Sequence, residues 1–301
     1  MKISIIIPTK DEEELLPRLL RSISLQDYSD FEVIVADAAS SDRTREIAQE
    51  NGASVVDGGM PAAGRNAGAK AATGDLFVFL DADVIIPPHF LTNLHNEMQE
   101  RYIDVATCAI KPLSDLQLDR IIHKLINLTI LANLRVDPKA FGFCIFITKR
   151  LFDRIGGFDE TIKVAEDNDL VKRAAELRHL RYINSTFVHV SVRRFEKEGR
   201  LNYIAKGIGL NVYRIFKGEI RHDNNVVNYD FGGYGNAREN KKALDRIEDS
   251  LIRMETRYKN QLKAIRERRS PSTEHEERTK MLTHLKKTVG DFRRILSKDE
   301  E

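Results

Sequence analysis

The sequence predicts an α/β fold: a doubly wound, mostly parallel central sheet flanked by helices, followed by a C-terminal helical hairpin or coiled-coil extension. Three observations carry this expectation. Short apolar, β-branched runs alternate with amphipathic segments through the first half of the chain, which is the pattern of βαβ units. The runs are apolar at consecutive positions, as in strands buried on both faces of a parallel sheet. From about residue 236 the alternation gives way to apolar residues stepping by three and four with charges between them.

Each element follows from local pattern. Ile3 to Ile7 is a β-branched run stopped at Pro8-Thr9, and Asp11 to Ile23 has acidic residues, Glu12 among them, ahead of leucines at helical spacing. Phe31 to Ala36 is a second strand, Asp37 to Asp42 a polar loop and Arg43 to Gln49 a helix. Ser54 to Val56 is a third strand leading through Gly58-Gly59 into an Ala-rich helix, Ala62 to Ala72. Next comes Leu76 to Val84, LFVFLDADV, whose apolar run ends at Asp81-Ala82-Asp83. A helix is expected over His89 to Tyr102, a strand over Val105 to Ile110, and a strongly amphipathic helix over Leu116 to Leu134 that either packs on the sheet or touches lipid. Phe141 to Thr148 reads as a strand, Lys149 to Ile155 as a helix, Ala165 to Leu177 as a helix opened by acidic residues, and Phe187 to Val192 as a strand.

Composition narrows the function. The 301 residues, 42% of them apolar, support a large core, and 48 basic against 46 acidic residues give a net charge of +2 and no global case for a nucleic-acid partner. Cys108 and Cys144 sit in apolar surroundings, which favours packing in a reducing compartment over a disulfide. The N-terminal apolar run is too short for a signal peptide, and no stretch approaches the roughly 20 apolar residues that cross a bilayer. The expected location is cytoplasmic, with peripheral contact on the inner face of the membrane left open. No Walker or dinucleotide fingerprint follows the first strands.

In doubly wound sheets ligands bind beyond the carboxyl ends of the strands, where Thr9, Asp37 and Asp81 all fall. Two carboxylates at spacing two, Asp81 and Asp83, repel unless something positive lies between them, and Mg²⁺ or Mn²⁺ held together with phosphate oxygens would supply it. The plainer reading of the triplet is a solvated turn or helix cap.

IIIPTKDEEELLPRLLRSI, VIVADAASSDRT, AAGRNAGAKAATGDLFVFLDADV, GGFDE and AEDNDL resemble, in order and spacing, the successive blocks of family-two glycosyltransferases of the GT-A fold, over about residues 1 to 195. The resemblance implies a nucleotide-sugar donor, a divalent cation (Mn or Mg) and transfer of the sugar to an acceptor. It places Pro8, Thr9 and Asp37 at the nucleoside, Arg65 at the nucleotide, and Asp81 and Asp83 at the ribose and metal, with Glu12 a further substrate-binding candidate. It turns Glu166 and Asp167 toward the acceptor, with Asp167 as general base. Ala38 stands where many relatives have a second Asp, and Lys10 where Asn is frequent. The chain has no Trp, so the Gln-x-x-Arg-Trp signature of processive synthases is absent.

The remaining candidates are read from the residues. Gly156-Gly157 permits a backbone that approaches a substrate closely. His189 is either a satisfied core histidine or a third metal ligand beside Asp83 and Asp81. Arg193, Arg194, Lys197 and Arg200 form a basic cluster in an expected loop, suited to a diphosphate. The expected organisation is a catalytic domain over 1–220, a linker over 221–235 and a helical extension over 236–301 that serves self-association or docking. The function expected is an inverting, metal-dependent transfer of sugar from a UDP- or GDP-sugar to a lipid-phosphate, glycolipid or glycan acceptor. A nucleotidyltransferase, or a nucleotide-sugar or partner-binding module without turnover, is the alternative. A lipid phosphate is already ionised, and with such an acceptor Asp167 would matter less as a base.

Overall fold

The computed structural model describes residues 1–200. The expected helix over 201–217, the linker and the C-terminal helical extension lie outside the described residues. Tertiary contacts divide the described residues into two units, Met1–Leu113 with Asn133–Ser191, and Ser114–Ala132 with residues 192–200. No helix among the described residues is long and apolar enough to cross a membrane.

In the first unit, β1 (Ile3–Thr9) is buried along its whole length. Its four isoleucines are fully inaccessible, each contributing roughly 1.5–3 kcal/mol of burial. It pairs in parallel with β2 (Phe31–Asp37) on one side and β4 (Leu76–Phe79) on the other, and β2 pairs in parallel with β3 (Ser54–Asp57). The connecting helices are α1 (Leu16–Ser24), α2 (Thr44–Glu50) and α3 (Pro61–Ala71), and α3 packs on β1 and β2. Ser4 is the polar exception on β1. Its hydroxyl donates to Glu32 at 2.6 Å and accepts the Gly74 N–H, locking two strands to the turn before β4. Burial pushes the Glu32 carboxyl up, but bonds from Ser4, Thr73 and Lys2 overcome this and hold it at about 2.

Beyond β4 the sheet becomes mixed: the expected parallel arrangement holds for most strands, and two later ones run against it. β7 (Ile145–Thr148) lies antiparallel to β4 and to β6 (Val105–Pro112), β8 (Arg181–Val190) runs parallel to β6, and β5 (Val84–Ile85) closes the edge antiparallel to β8. Among the described residues eight strands run in the order β3-β2-β1-β4-β7-β6-β8-β5. The cause is that β7 enters from residues far along the chain, and such a pairing leaves no mark on the local βαβ rhythm. α4 (Phe90–Glu100) packs on β8. Two further helices complete the unit, α6 (Lys149–Arg154) and α7 (Glu166–Leu177). Phe77, Phe79, Phe152 and Phe158 knit the core, with edge contacts of 5.3 Å (Phe77 to Phe152) and 5.2 Å (Phe79 to Phe158). The thiols of Cys108 and Cys144 are buried and free, 3.4 Å apart.

Several boundaries move. α1 begins at Leu16, not Asp11, because the acidic run serves the neighbouring loop: Asp11 accepts from Ser41 and Glu13 from the Arg43 N–H. β4 ends at Phe79, and β8 starts at Arg181, six residues before its apolar stretch.

The second unit contains α5 (Gln117–Asn133) and α8 (Arg193–Glu198). Asp119 is wholly buried, accepting from Ser114 at 2.6 Å and from two guanidinium nitrogens of Arg200 at 2.7 and 3.0 Å. The expected basic loop is therefore corrected on two counts. Arg193 and Arg194 open a helix, and Arg200 is withdrawn into a buried ion pair that the charge-rich stretch in the sequence does not disclose.

Candidate functional site

The parallel half of the first unit gathers its strand ends at one edge. Thr9 and Asp37 are the last residues of β1 and β2 and stand in register. Both are 1% exposed. Asp37 accepts from Thr9 Oγ1 at 3.3 Å, from the Ser40 N–H at 3.0 Å and from Arg45 at 3.2 Å. Burial raises its carboxyl, and the Ser40 and Arg45 contacts bring it below the usual carboxylate value. Pro8 is buried beside them. The Glu12 N–H donates to Thr44 Oγ1 at 2.8 Å, tying the loop after β1 to the start of α2.

Two residues past β4, Asp81 meets α3. Arg65 Nη2 lies 2.8 Å from Asp81 Oδ1, and Arg65 Nη1 lies 2.7 Å from Glu166 Oε1, the first residue of α7. Carboxylates from the end of β4 and from the start of α7, 85 positions apart (166 − 81), thus share one guanidinium. Charge-assisted bonds of this kind are the strong ones, and arginine's planar fork fixes their directions. Arg65 is 4% exposed. Burial alone would lower its pKa, but Asp81, Glu166 and Asp167 raise it above the ordinary arginine value.

Asp167 follows Glu166. Its Oδ2 accepts the Gly142 N–H at 2.8 Å and its Oδ1 the Asn168 N–H at 2.7 Å. Burial and the adjacent Glu166 push its carboxyl up to about 7 against the pull of Arg65, so this group exchanges a proton near neutrality. The residue before the pair, Ala165, sits at φ +64°, left-handed backbone rarely taken by a residue with a side chain. Such strain costs about 1–3 kcal/mol and gathers at functional sites.

The glycine loop is pinned against this pair. Asn66 bonds Phe158 through both its N–H and its carbonyl, each at 2.9 Å, and Glu160 at 2.8 Å. Arg173 reaches back from α7 to the carbonyls of Ile155 and Gly157 at 2.7 and 2.8 Å. Gly157 is at φ +70°, and a Cβ there would lie 2.7 Å from Asn66 Oδ1, so only glycine fits.

Asp83 leads into β5, where Ile85 faces His189 and the Asp83 carbonyl accepts the Ser191 N–H at 3.0 Å. Alternation along paired strands places Asp83, Ile85, His189 and Ser191 on one face. Burial and nearby Lys111 lower the His189 pKa, keeping the ring neutral, and its buried Nδ1 has no hydrogen-bond partner. A buried ring nitrogen without a hydrogen-bond partner, on the strand face that carries Asp83, is the observation that fits a divalent cation completed by phosphate oxygens. Among the described residues no three His, Cys, Asp or Glu side chains converge, and Asp81 is engaged by Arg65.

The structure thus brings Asp81, Glu166 and Asp167 together around Arg65 and sets Asp83 and His189 on one face. Pro8, Thr9 and Asp37 line the neighbouring strand ends, Glu12 serves a loop and Gly157 lies under Asn66. Arg193 and Arg194 belong to the second unit. Sequence reasoning missed Asn66, Gly142 and Arg173. Asn66 adjoins Arg65 in the GRNAG block, whereas Gly142 gives no local sign of its role.

Comparison with known proteins agrees with this architecture. Poly(ribitol-phosphate) beta-N-acetylglucosaminyltransferase TarS of Staphylococcus aureus is 27% identical over 201 residues, covering 63% of this chain and 34% of TarS. Undecaprenyl-phosphate 4-deoxy-4-formamido-L-arabinose transferase of Pseudomonas fluorescens is 33% identical over 153 residues, covering 46% of this chain and 44% of that protein. The chain therefore spans less than half the length of these relatives. The structure of mannosyltransferase PcManGT of Pyrobaculum calidifontis, in complex with GDP-Man and Mn2+, superposes with a TM-score of 0.58 at 21% identity, covering 72% of this chain and 64% of that one. That likeness is one of fold. Residues 4–151 match the sequence profile of glycosyl transferase family 2, and that segment of the chain belongs to the family.

Proposed function

We propose that the chain is an inverting, metal-dependent glycosyltransferase that moves a sugar from a UDP- or GDP-sugar to a lipid-phosphate, glycolipid or glycan acceptor. The observation that carries this reading is the meeting of Asp81, at the end of β4, with Glu166 and Asp167, at the start of α7, around one buried arginine. Donor-side and acceptor-side carboxylates then occupy a single site. The family and two relatives named as sugar transferases support the reaction class.

The proposed chemistry is a single displacement. Asp167 takes the proton of an acceptor hydroxyl, the freed oxygen bonds to the anomeric carbon, and the bond from that carbon to the diphosphate oxygen breaks. The nucleoside diphosphate leaves with the bonding electron pair. No protein nucleophile is needed, and attack opposite the leaving group inverts the anomeric carbon. Asp83 and His189 are the residues that would hold Mn²⁺ or Mg²⁺, whose chemistry there is to offset charge on the departing diphosphate. Asp37 and Thr9 shape the nucleoside end.

A screen of common UDP- and GDP-sugars for nucleoside diphosphate release, with Mn²⁺ or Mg²⁺, tests the proposal. Turnover of at least one donor is expected, abolished by chelator and cut by about 100-fold or more in Asp83→Ala. Full rate in chelator removes the cation from the account, and no release from any donor removes the activity.

A further inference from the structure

We infer that Arg65 is a positioning residue: its buried guanidinium holds the donor-side Asp81 and the acceptor-side Glu166 in one fixed geometry and does not itself bind the nucleotide. This rests on the transferase reading above, and it departs from the nucleotide contact that the family resemblance implies for this position.

The surroundings of Arg65 leave it little else to do. Nη2 is committed to Asp81 at 2.8 Å and Nη1 to Glu166 at 2.7 Å, while Nε is buried without a hydrogen-bond partner. Only 4% of the residue is exposed, so almost no guanidinium surface remains for a ligand. The ring of Phe158 lies 5.6 Å from its Cζ. Gly142 walls a further side, since a Cβ there would stand 2.3 Å from Nη2. The same Gly142 donates its N–H to Asp167. Arginine, glycine and both α7 carboxylates are therefore one interlocked unit, and moving the guanidinium moves the base.

Reactions that depend on near-attack geometry lose about 100-fold for a displacement of about 1 Å. A positioning role predicts that loss in turnover and a much smaller one in ground-state nucleotide binding, passed on through Asp81. Two variants separate the possibilities. Arg65→Lys keeps the charge and loses the two-pronged fork. Gly142→Ala keeps Arg65 and forces it to shift. Both are measured for kcat and donor KM on the best donor of the screen, and for UDP and GDP affinity by calorimetry, with a thermal melt to certify folding. Expected is a fall in kcat of about 100-fold for Arg65→Lys and at least about 10-fold for Gly142→Ala, with nucleotide affinity falling by less than about 3-fold in both. Loss of nucleotide affinity in step with kcat overturns the inference in favour of a nucleotide contact, and wild-type kcat in Arg65→Lys overturns it outright. If Arg65→Lys does not fold, Gly142→Ala decides alone: a loss of kcat well beyond any loss of nucleotide affinity sustains the inference and any other result overturns it. A wild-type protein that turns over no donor defeats the transferase reading instead, so the two failures are distinct.

Discussion

Asp167 ties stability to chemistry. Its folded pKa of about 7 stands above the ordinary aspartate value of 3.8 because burial and Glu166 disfavour the charged form more than Arg65 favours it. As a base it works only when ionised, so kcat/KM for a hydroxyl acceptor should rise with pH through about 7 and level off above it. Asp167→Asn should lower that rate by about 100-fold or more, whereas an acceptor that is already ionised would escape both effects. The same shift makes a stability prediction. The folded state holds this proton more tightly than the unfolded chain, so the favourable contribution is complete below pH 3.8 and is lost as pH rises through about 7. Asp167→Asn should therefore melt higher than wild type at pH 8, with the difference shrinking toward pH 4, as thermal scans would show. The position of Asp167 is legible as an acidic residue at a helix start. Its pKa is not, because Gly142 and Arg65 come from distant parts of the chain.

Among the elements, the loop over 155–160 is set by partners outside itself. Asn66 on α3 and Arg173 on α7 supply the bonds that hold it, and Gly157 takes the positive φ that the path requires. Asn66→Ala removes three hydrogen bonds, two to Phe158 and one to Glu160. It should lower the urea midpoint by an amount equivalent to about 1–3 kcal/mol, and an unchanged midpoint would show that Arg173 alone suffices. The helices and strands were largely readable from pattern: the expected α7, Ala165 to Leu177, differs from the observed Glu166–Leu177 by one residue. Pattern failed where polar residues had tertiary duties. The acidic run after β1 caps a neighbouring loop, and the polar start of β8 pairs with β6 in a way that its composition hides.

At the level of the whole chain, the parallel half of the sheet gathers strand ends where a nucleotide is expected, and the mixed half brings α7 and β8 to the same edge. Local rhythm revealed the first half because each βαβ unit is contiguous. It could not reveal the second, because the pairing of β7 with β4 joins residues about 70 positions apart, as Phe79 with Ile145, and no short window contains both. In the proposed reaction Asp81 and Asp83 serve the donor, and Glu166 and Asp167 the acceptor. Calorimetric titration of UDP and GDP with Mn²⁺ into wild type, Asp83→Ala and Asp167→Asn tests that division most directly. The account predicts that Asp83→Ala loses about 10-fold or more in nucleotide affinity while Asp167→Asn binds as wild type. Wild-type affinity in Asp83→Ala, or equal losses in both variants, would contradict it.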